Sequence, residues 1–308
     1  MALMRLCNYR PAGSVEPLQA GMVMGHRVVP LATALGPGPL GPRRLATALS
    51  DTAPAVLGGG RSVPLSAVEL GPPVCPVPTF RDFHAFEDHV RTARGRRGLE
   101  MVPEWYELAA FYYSNPGCML GPGSPLVMPR HGEWLDFELE VGCVIAREGI
   151  DITAEEAEGY IAGYTIINDW SLRDVQRREM KVGLGPAKGK DFATSLGPFL
   201  VTPDELEDRR AGKGFDLQMV ARVNGRELGR GNWRSIHYSF AEMIVRASAG
   251  VTLWPGDVLG SGTVGTGCIL ELGPEQTGGW LGPGDVVELE VERLGRLRNE
   301  VVAAPPLE

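Results

Sequence analysis

LDFELEVGCV, Leu135–Val144, alternates strictly: Asp136, Glu138 and Glu140 fall on one side, Phe137, Leu139 and Val141 on the other. A two-residue period is the signature of a strand with one face in a core. Side chains two apart on a strand are roughly 6.5–7 Å from one another. Three carboxylates in such a row repel unless positive charge lies against them. Carboxylate oxygens suit a hard cation such as Mg²⁺, Mn²⁺ or Ca²⁺. The same alternation fits an ordinary antiparallel strand with a wet face, so neighbouring segments have to decide between the two.

Downstream, Thr153 and Glu156 have capping-box spacing and open a short helix. YIAGYTII, residues 160–167, has strand length and runs into Asn168-Asp169. Asp169 is thus placed where a strand fixes it and a loop exposes it, which suits a ligand residue or a helix cap. On the following helix, SLRDVQRREM, Arg173 and Gln176 are three apart and share a face. GLGPAKGKDF, residues 183–192, is not a phosphate-binding P-loop: that motif needs glycine at Leu184 and Ser or Thr at Asp191. Lys190 in this Gly-rich loop reads either as a cation for a developing enolate or as an exposed loop lysine.

Upstream, in TFRDFHAFEDHVRTAR, residues 79–94, Phe83, Phe86 and Val90 are spaced for a helix face. Asp82 is expected as its N-cap, with His89 two turns along on the same side. Tyr112 and Tyr113 precede the polar turn Ser114-Asn115-Pro116-Gly117 and could line a pocket or simply pack. Towards the C-terminus, Asn224-Gly225 marks a hairpin and Ser235–Ser248 an amphipathic helix. Thr263 lies in a Gly-rich turn, and Glu271 is expected on an otherwise apolar strand, where a buried carboxylate needs a partner. LEVERLGRLRNEVV closes the chain as a strand pair.

The 308 residues allow more than one domain. Residues 1–72 read as a small β-rich domain, with a loop from Gly36 to Arg44. PPVCPVP, Pro72–Pro78, reads as a linker, and residues 73–308 form the main domain. The net charge of −8 disfavours nucleic acid as a partner, though a locally positive pocket for a small anion is compatible with it. Five widely spaced cysteines without a CxxC pair argue against a disulfide framework or thiolate zinc site. With no signal-peptide pattern and no apolar run of membrane-spanning length, a cytoplasmic enzyme is expected.

DFELEVG, NDWSLRDVQ, GKDFATSLGP, PGDVLGSGT and GDVVELEVERLGRLRNEV, in that order, resemble the fumarylacetoacetate hydrolase family, from about Phe80 to Val302. The resemblance implies an α+β, β-rich fold: a mixed β-roll or sandwich, preceded by a small N-terminal β domain and usually found as a homodimer. It implies a divalent ion, typically Mg²⁺. Asp82, Glu138, Glu140 and Asp169 match the metal ligands, with Thr194 near the metal shell. His89 resembles the general base and Glu271 the acid that orients it. Arg173, Gln176 and Lys190 resemble substrate and oxyanion contacts, and Thr263 a contact to a substrate carboxylate. His84 and Met180 stand where fumarylacetoacetases keep tyrosines, so His84 and Tyr113 are expected to line an altered substrate pocket. Related acylpyruvases use a His-x-x-Glu dyad, but Thr92 stands at that spacing after His89.

The activity so implied is metal-dependent hydrolysis of a carbon–carbon bond in a 1,3-diketo (2,4-dioxo) acid, as in aromatic amino acid catabolism. Other enolate chemistry would need the same site: oxaloacetate decarboxylation, keto–enol isomerisation or hydration of a 2-oxo-dienoate. A non-catalytic metabolite-binding protein is a third reading.

Overall fold

A computed structural model describes residues 4–49 and 61–306. Two sheets dominate. The larger has twelve strands and is mixed. Its centre is formed by Thr194–Val201, Ile161–Asp169 and Leu139–Ile145, joined antiparallel, followed by Val258–Gly260, Phe80–Phe83 and Phe111–Ser114. The smaller has five strands: Arg226–Asn232, Gln218–Val223, Val286–Val291, Gly295–Val302 and Leu126–Val127. The hairpin turn at Asn224-Gly225 forms as expected, with φ positive at both residues (52° and 78°).

The central strands are apolar on both faces, and the two faces serve different cores. Val141, Cys143, Ile145 and Ile166 pack with Met219, Leu289 and Leu297 of the smaller sheet. Val144, Ala162, Ile167 and Leu196 pack on the other side with Leu31, Leu40 and Leu45. Each such fully buried aliphatic side chain contributes about 1.5–3 kcal/mol, which rigidifies the ends of these strands where the polar residues emerge. The N-terminal strand Arg5–Pro11 pairs with Thr194–Val201, so strands from before residue 72 continue the larger sheet.

Several local expectations are corrected. The carboxylate-bearing strand is interrupted at Phe137–Glu138: Leu135–Asp136 pairs with Ser171–Leu172, and only Leu139–Ile145 joins the large sheet. Its acidic face is not wet, since Asp136, Glu138 and Glu140 are all buried. Asp82 is not a helix cap. It lies in the strand Phe80–Phe83, and the helix is Glu87–Gly95, with Phe86 at its N-cap. Phe83, Phe86 and Val90 nevertheless share the core, because a buried strand and the helix after it both turn apolar residues inward. Glu271 lies on a short helix, Ile269–Leu272, not on a strand. Thr153 stands at the N-cap of the helical turn Ala154–Ala157 as expected, but its hydroxyl meets Glu156 Oε2 at 3.2 Å and not a backbone N–H, so no capping box closes. A reciprocal capping box forms instead at Ser239 and Glu242, so the expected amphipathic helix begins at Phe240 and runs to Ser248. The expected loop Gly36–Arg44 ends early, because Pro42 opens the helix Pro42–Ala48.

Candidate active site

The sheet register brings distant carboxylates to one end of the large sheet. Glu140 lies opposite Ile167, one pair in from Leu139 and Asn168; Asp169 lies opposite Thr194; Asp82 lies opposite Gly260 on the parallel neighbour. Asp82, Glu138 and Glu140 each offer an oxygen within 4.8 Å of the other two, and all three are buried. Gly260 makes this possible. A Cβ there would lie 2.3 Å from Asp82 Oδ1 and 3.1 Å from Glu140 Oε2, so any side chain would fill the space the carboxylates share.

The positive side is supplied by two buried cations. Arg173 donates through one terminal nitrogen to Glu138 Oε1 at 2.6 Å and through Nε to Asp136 Oδ2 at 2.8 Å. Lys190 Nζ donates to Glu138 Oε2, and to Asp169 Oδ2 at 2.7 Å. Asp169 therefore stands across Lys190 from Glu138. Its other partners are the Tyr112 hydroxyl, which donates to Oδ2, and Thr194 Oγ1, 3.3 Å from Oδ1. Thr263 Oγ1 lies 3.5 Å from Glu140 Oε1.

These surroundings drive the carboxylates apart in acidity. For Glu138 burial favours the neutral form, yet Arg173 and Lys190 outweigh it and hold the group well below the usual range. Among the described residues no cation is set against Glu140: burial, then the charges of Asp82 and Glu138, push it well above the carboxylate range. Asp82 is pushed up to about 8, by burial first and the Asp169 charge second. Among the described residues no N–H or hydroxyl donor is set against the buried Glu140 Oε2, and the neighbouring acid Asp82 is what Glu140 faces. Three converging buried oxygens, one of them without such a donor, in a space kept clear by a glycine fit a hard divalent cation. Asp82, Glu138 and Glu140 would hold it; Asp169 does not converge with these three and is turned to Lys190, Tyr112 and Thr194.

The second half of the site is a histidine–carboxylate pair. His89, on Glu87–Gly95, presents Nδ1 to Glu271 Oε1, and both side chains are buried. Glu271 Oε2 accepts the Thr266 N–H at 2.8 Å. Thr266 has φ of 65°, a left-handed conformation that is costly for a β-branched residue. Its side chain is fastened to the backbone of Arg230. Asp136 joins the two halves. Its oxygens accept the N–H groups of Ile269 and Leu270, at the start of the turn carrying Glu271, as well as Arg173 Nε.

Of the expected site residues, His89 and Glu271 meet directly, and Lys190 and Arg173 meet the carboxylates. Gln176 accepts from Arg173 at 3.0 Å and so lies behind it. His84 is exposed, its ring 5.7 Å from that of His89. Tyr113 is 61% exposed, with the Arg81 guanidinium over its ring. Tyr112, one residue away on the opposite face of its strand, is the tyrosine that reaches the carboxylates. Sequence reasoning missed Asp136 as a member of the site, although its place on the acidic face was visible. It also missed Asn168, whose Oδ1 accepts the Glu138 N–H at 2.9 Å where the strand breaks.

Residues 79–302 match the fumarylacetoacetate (FAA) hydrolase C-terminal family. A 2,4-didehydro-3-deoxy-L-rhamnonate hydrolase of Sphingomonas sp. (strain SKA58) is 35% identical over 182 residues, 59% of this chain and 60% of that protein. A mitochondrial oxaloacetate tautomerase of Rattus norvegicus is 35% identical over 186 residues, 60% of this chain and 56% of that protein. The match thus spans less than two thirds of either relative. Among solved structures, a probable 2-hydroxyhepta-2,4-diene-1,7-dioate isomerase from Mycobacterium abscessus superposes with a TM-score of 0.73 at 26% identity, covering 98% of this chain and 100% of that one. A maleylpyruvate hydrolase from Sphingobium sp. SYK-6, in complex with manganese (II) ion and pyruvate, superposes at 0.73 with 22% identity and the same coverage, a likeness of fold.

Proposed function

The chain belongs to the fumarylacetoacetate hydrolase family, and from that premise we propose that it hydrolyses the carbon–carbon bond of a 2,4-dioxo acid with the help of a divalent ion. The observation that carries this reading is the buried His89–Glu271 pair beside a carboxylate cluster in which Glu140 Oε2 has no N–H or hydroxyl donor among the described residues. A hard ion, Mg²⁺ or Mn²⁺, held by Asp82, Glu138 and Glu140 would supply Lewis-acid polarisation of the substrate's oxo group.

The protein's own residues supply the rest. Glu271 holds His89 through Nδ1–H, leaving Nε2 free to accept a proton from water. The water oxygen bonds to carbon 4, and the bond between carbons 3 and 4 breaks. Its electron pair passes to carbon 3, giving the enolate of a 2-oxo acid, and the other fragment leaves as a carboxylic acid. The enolate takes up the proton that His89 removed. Lys190 donates to two carboxylates and has a third N–H to offer the developing charge, a contact of a kind that contributes about 3–4 kcal/mol. Thr263 would meet a substrate carboxylate, and His84 and Met180, both exposed, would border its approach. The name of the Sphingomonas relative, a hydrolase of a 2,4-didehydro-3-deoxy acid, fits the same substrate pattern.

A second reading is keto–enol exchange of an oxaloacetate-like acid, favoured by the name of the rat relative. It uses the same ion and the same base but forms no new carbon–oxygen bond. Incubation with Mg²⁺ or Mn²⁺ and a panel of 2,4-dioxo acids tests both. Loss of diketo absorbance with stoichiometric release of a 2-oxo acid is expected. Enol-to-keto conversion of oxaloacetate without cleavage of any dioxo acid would replace hydrolysis with tautomerisation.

A further inference from the structure

We infer that His89, Cys268 and Glu271 form a second metal site, selective for thiophilic divalent ions such as Zn²⁺ and Cd²⁺, whose occupation disables the base. All three side chains are buried, and one donor atom from each lies within 4.8 Å of the others. Cys268 and Glu271 are three residues apart around the turn Ile269–Leu272, which sets Cys268 Sγ 3.9 Å from Glu271 Oε1. His89 Nδ1 reaches the same oxygen from the neighbouring helix.

This trio differs in kind from the one beside it. Asp82, Glu138 and Glu140 offer three oxygens, a set for hard ions that shun thiols. His89, Cys268 and Glu271 offer one nitrogen, one sulfur and one oxygen, the mixed set that Zn²⁺ takes at about 2.0–2.3 Å in tetrahedral sites. Around one such centre, donors stand roughly 3.3–3.7 Å apart. The sulfur–oxygen spacing therefore needs to close by only a few tenths of an ångström, while His89 and Glu271 part to admit the ion. The frame around them is fixed: the Thr266 N–H holds the other oxygen of Glu271, and Asp136 anchors the first two N–H groups of the turn.

Binding would displace the Cys268 thiol proton to solvent. A neutral imidazole coordinated through Nδ1 carries its one proton on Nε2, so His89 becomes a donor there and can no longer accept a proton from water. Glu271, its charge spent on the ion, no longer stabilises an imidazolium. The inhibition rests on the hydrolytic reading; the binding does not.

The test uses the full chain saturated with Mg²⁺, titrated with Co²⁺ as a spectroscopic substitute for Zn²⁺. A near-ultraviolet thiolate-to-cobalt band is expected in the wild type and absent from Cys268→Ser and Cys268→Ala, both checked for folding by thermal melting. Zn²⁺ should inhibit Mg²⁺-supported turnover of a dioxo acid at concentrations about tenfold or more lower in the wild type than in Cys268→Ser, each inhibition being measured against that protein's own rate without Zn²⁺. Absence of the band in the wild type, its persistence in both variants, or equal inhibition of wild type and variant would overturn the site. If no dioxo acid is turned over, the cobalt spectrum still decides the site, and only the hydrolytic reading falls.

Discussion

The carboxylate cluster and the histidine–glutamate pair lie side by side and handle buried charge in opposite ways. At the pair the carboxylate is satisfied within the protein: Glu271 is met by His89 through one oxygen and by the Thr266 N–H through the other. At the cluster the protein stops short. Lys190 and Arg173 satisfy Glu138, but Asp82 and Glu140 face one another with an oxygen left over. A self-contained polar pair is a preformed tool, whereas an unfinished acidic cluster is a receptor. The first should fail in chemistry when altered and the second in affinity for an ion.

That contrast can be broken most forcefully at His89. His89→Ala should lower dioxo-acid hydrolysis by about 10²–10⁴-fold while leaving divalent-ion affinity unchanged; calorimetric titration showing a loss of ion binding would merge the two regions into one. Next in size, Glu140→Gln should weaken Mg²⁺ or Mn²⁺ binding by more than roughly 100-fold, since even residues behind metal ligands cost 10–100-fold. Unchanged affinity by the same titration would remove the cluster from the reading.

Acidity sharpens the comparison. Asp82 binds its proton more tightly folded than unfolded, with a folded pKa of about 8, and Glu140 is shifted the same way. The stability they contribute without a metal is full below about pH 4 and is lost as pH rises towards 8. Glu138, held low by Arg173 and Lys190, acts in the opposite sense and loses its contribution only in acid. In chelator the melting temperature should therefore fall between pH 5 and 8. Divalent ion at 100 times its dissociation constant should add about 2.7 kcal/mol, most visibly at the alkaline end. A flat chelator profile would show that Asp82 and Glu140 titrate alike in the folded and unfolded chain.

Asp136→Asn should reduce turnover by about 10–100-fold, as expected for a residue that orients others. It should also shift the pH profile of kcat/KM, because it holds both the Glu271 turn and Arg173. An unmoved profile with a lowered melting temperature alone would make its role purely structural. The smallest effect expected is at the tyrosines. Tyr112→Phe removes a hydrogen bond to Asp169, roughly 0.5–1.5 kcal/mol or about 2–13-fold in activity, while Tyr113→Phe should change kcat little. The reverse order would return Tyr113 to the pocket.

The legibility of the two regions differs for the same physical reason. The cluster sits on strands, and a strand's alternation is written locally: Glu138, Glu140 and Asp169 could be picked out from period and position. Of the pair, His89 sits on the helix Glu87–Gly95 and Glu271 on a short turn whose conformation is set by what it packs against. Glu271 therefore appeared to lie on a strand, and Asp82, read through helix-capping preferences, appeared to begin a helix when it ends inside a sheet. Tyr112 and Tyr113 could not be told apart in advance, because a one-residue shift reverses which side of a strand faces the site.

Residue order alone was enough for the β-rich class, the acidic strand, the Asn224-Gly225 hairpin and the motif series that marks the family, since each depends on neighbours along the chain. Convergence was settled in three dimensions. Asp82 joins Glu140 because Phe80–Phe83 lies beside Val258–Gly260, across a glycine 178 residues later in the chain. His89 meets Glu271 across 182 residues. Burial then converts a row of ordinary acids into one strongly ionised group and two that hold their protons, because what sets an acid's strength is its distance from water and from Lys190 and Arg173, and no local pattern encodes that distance.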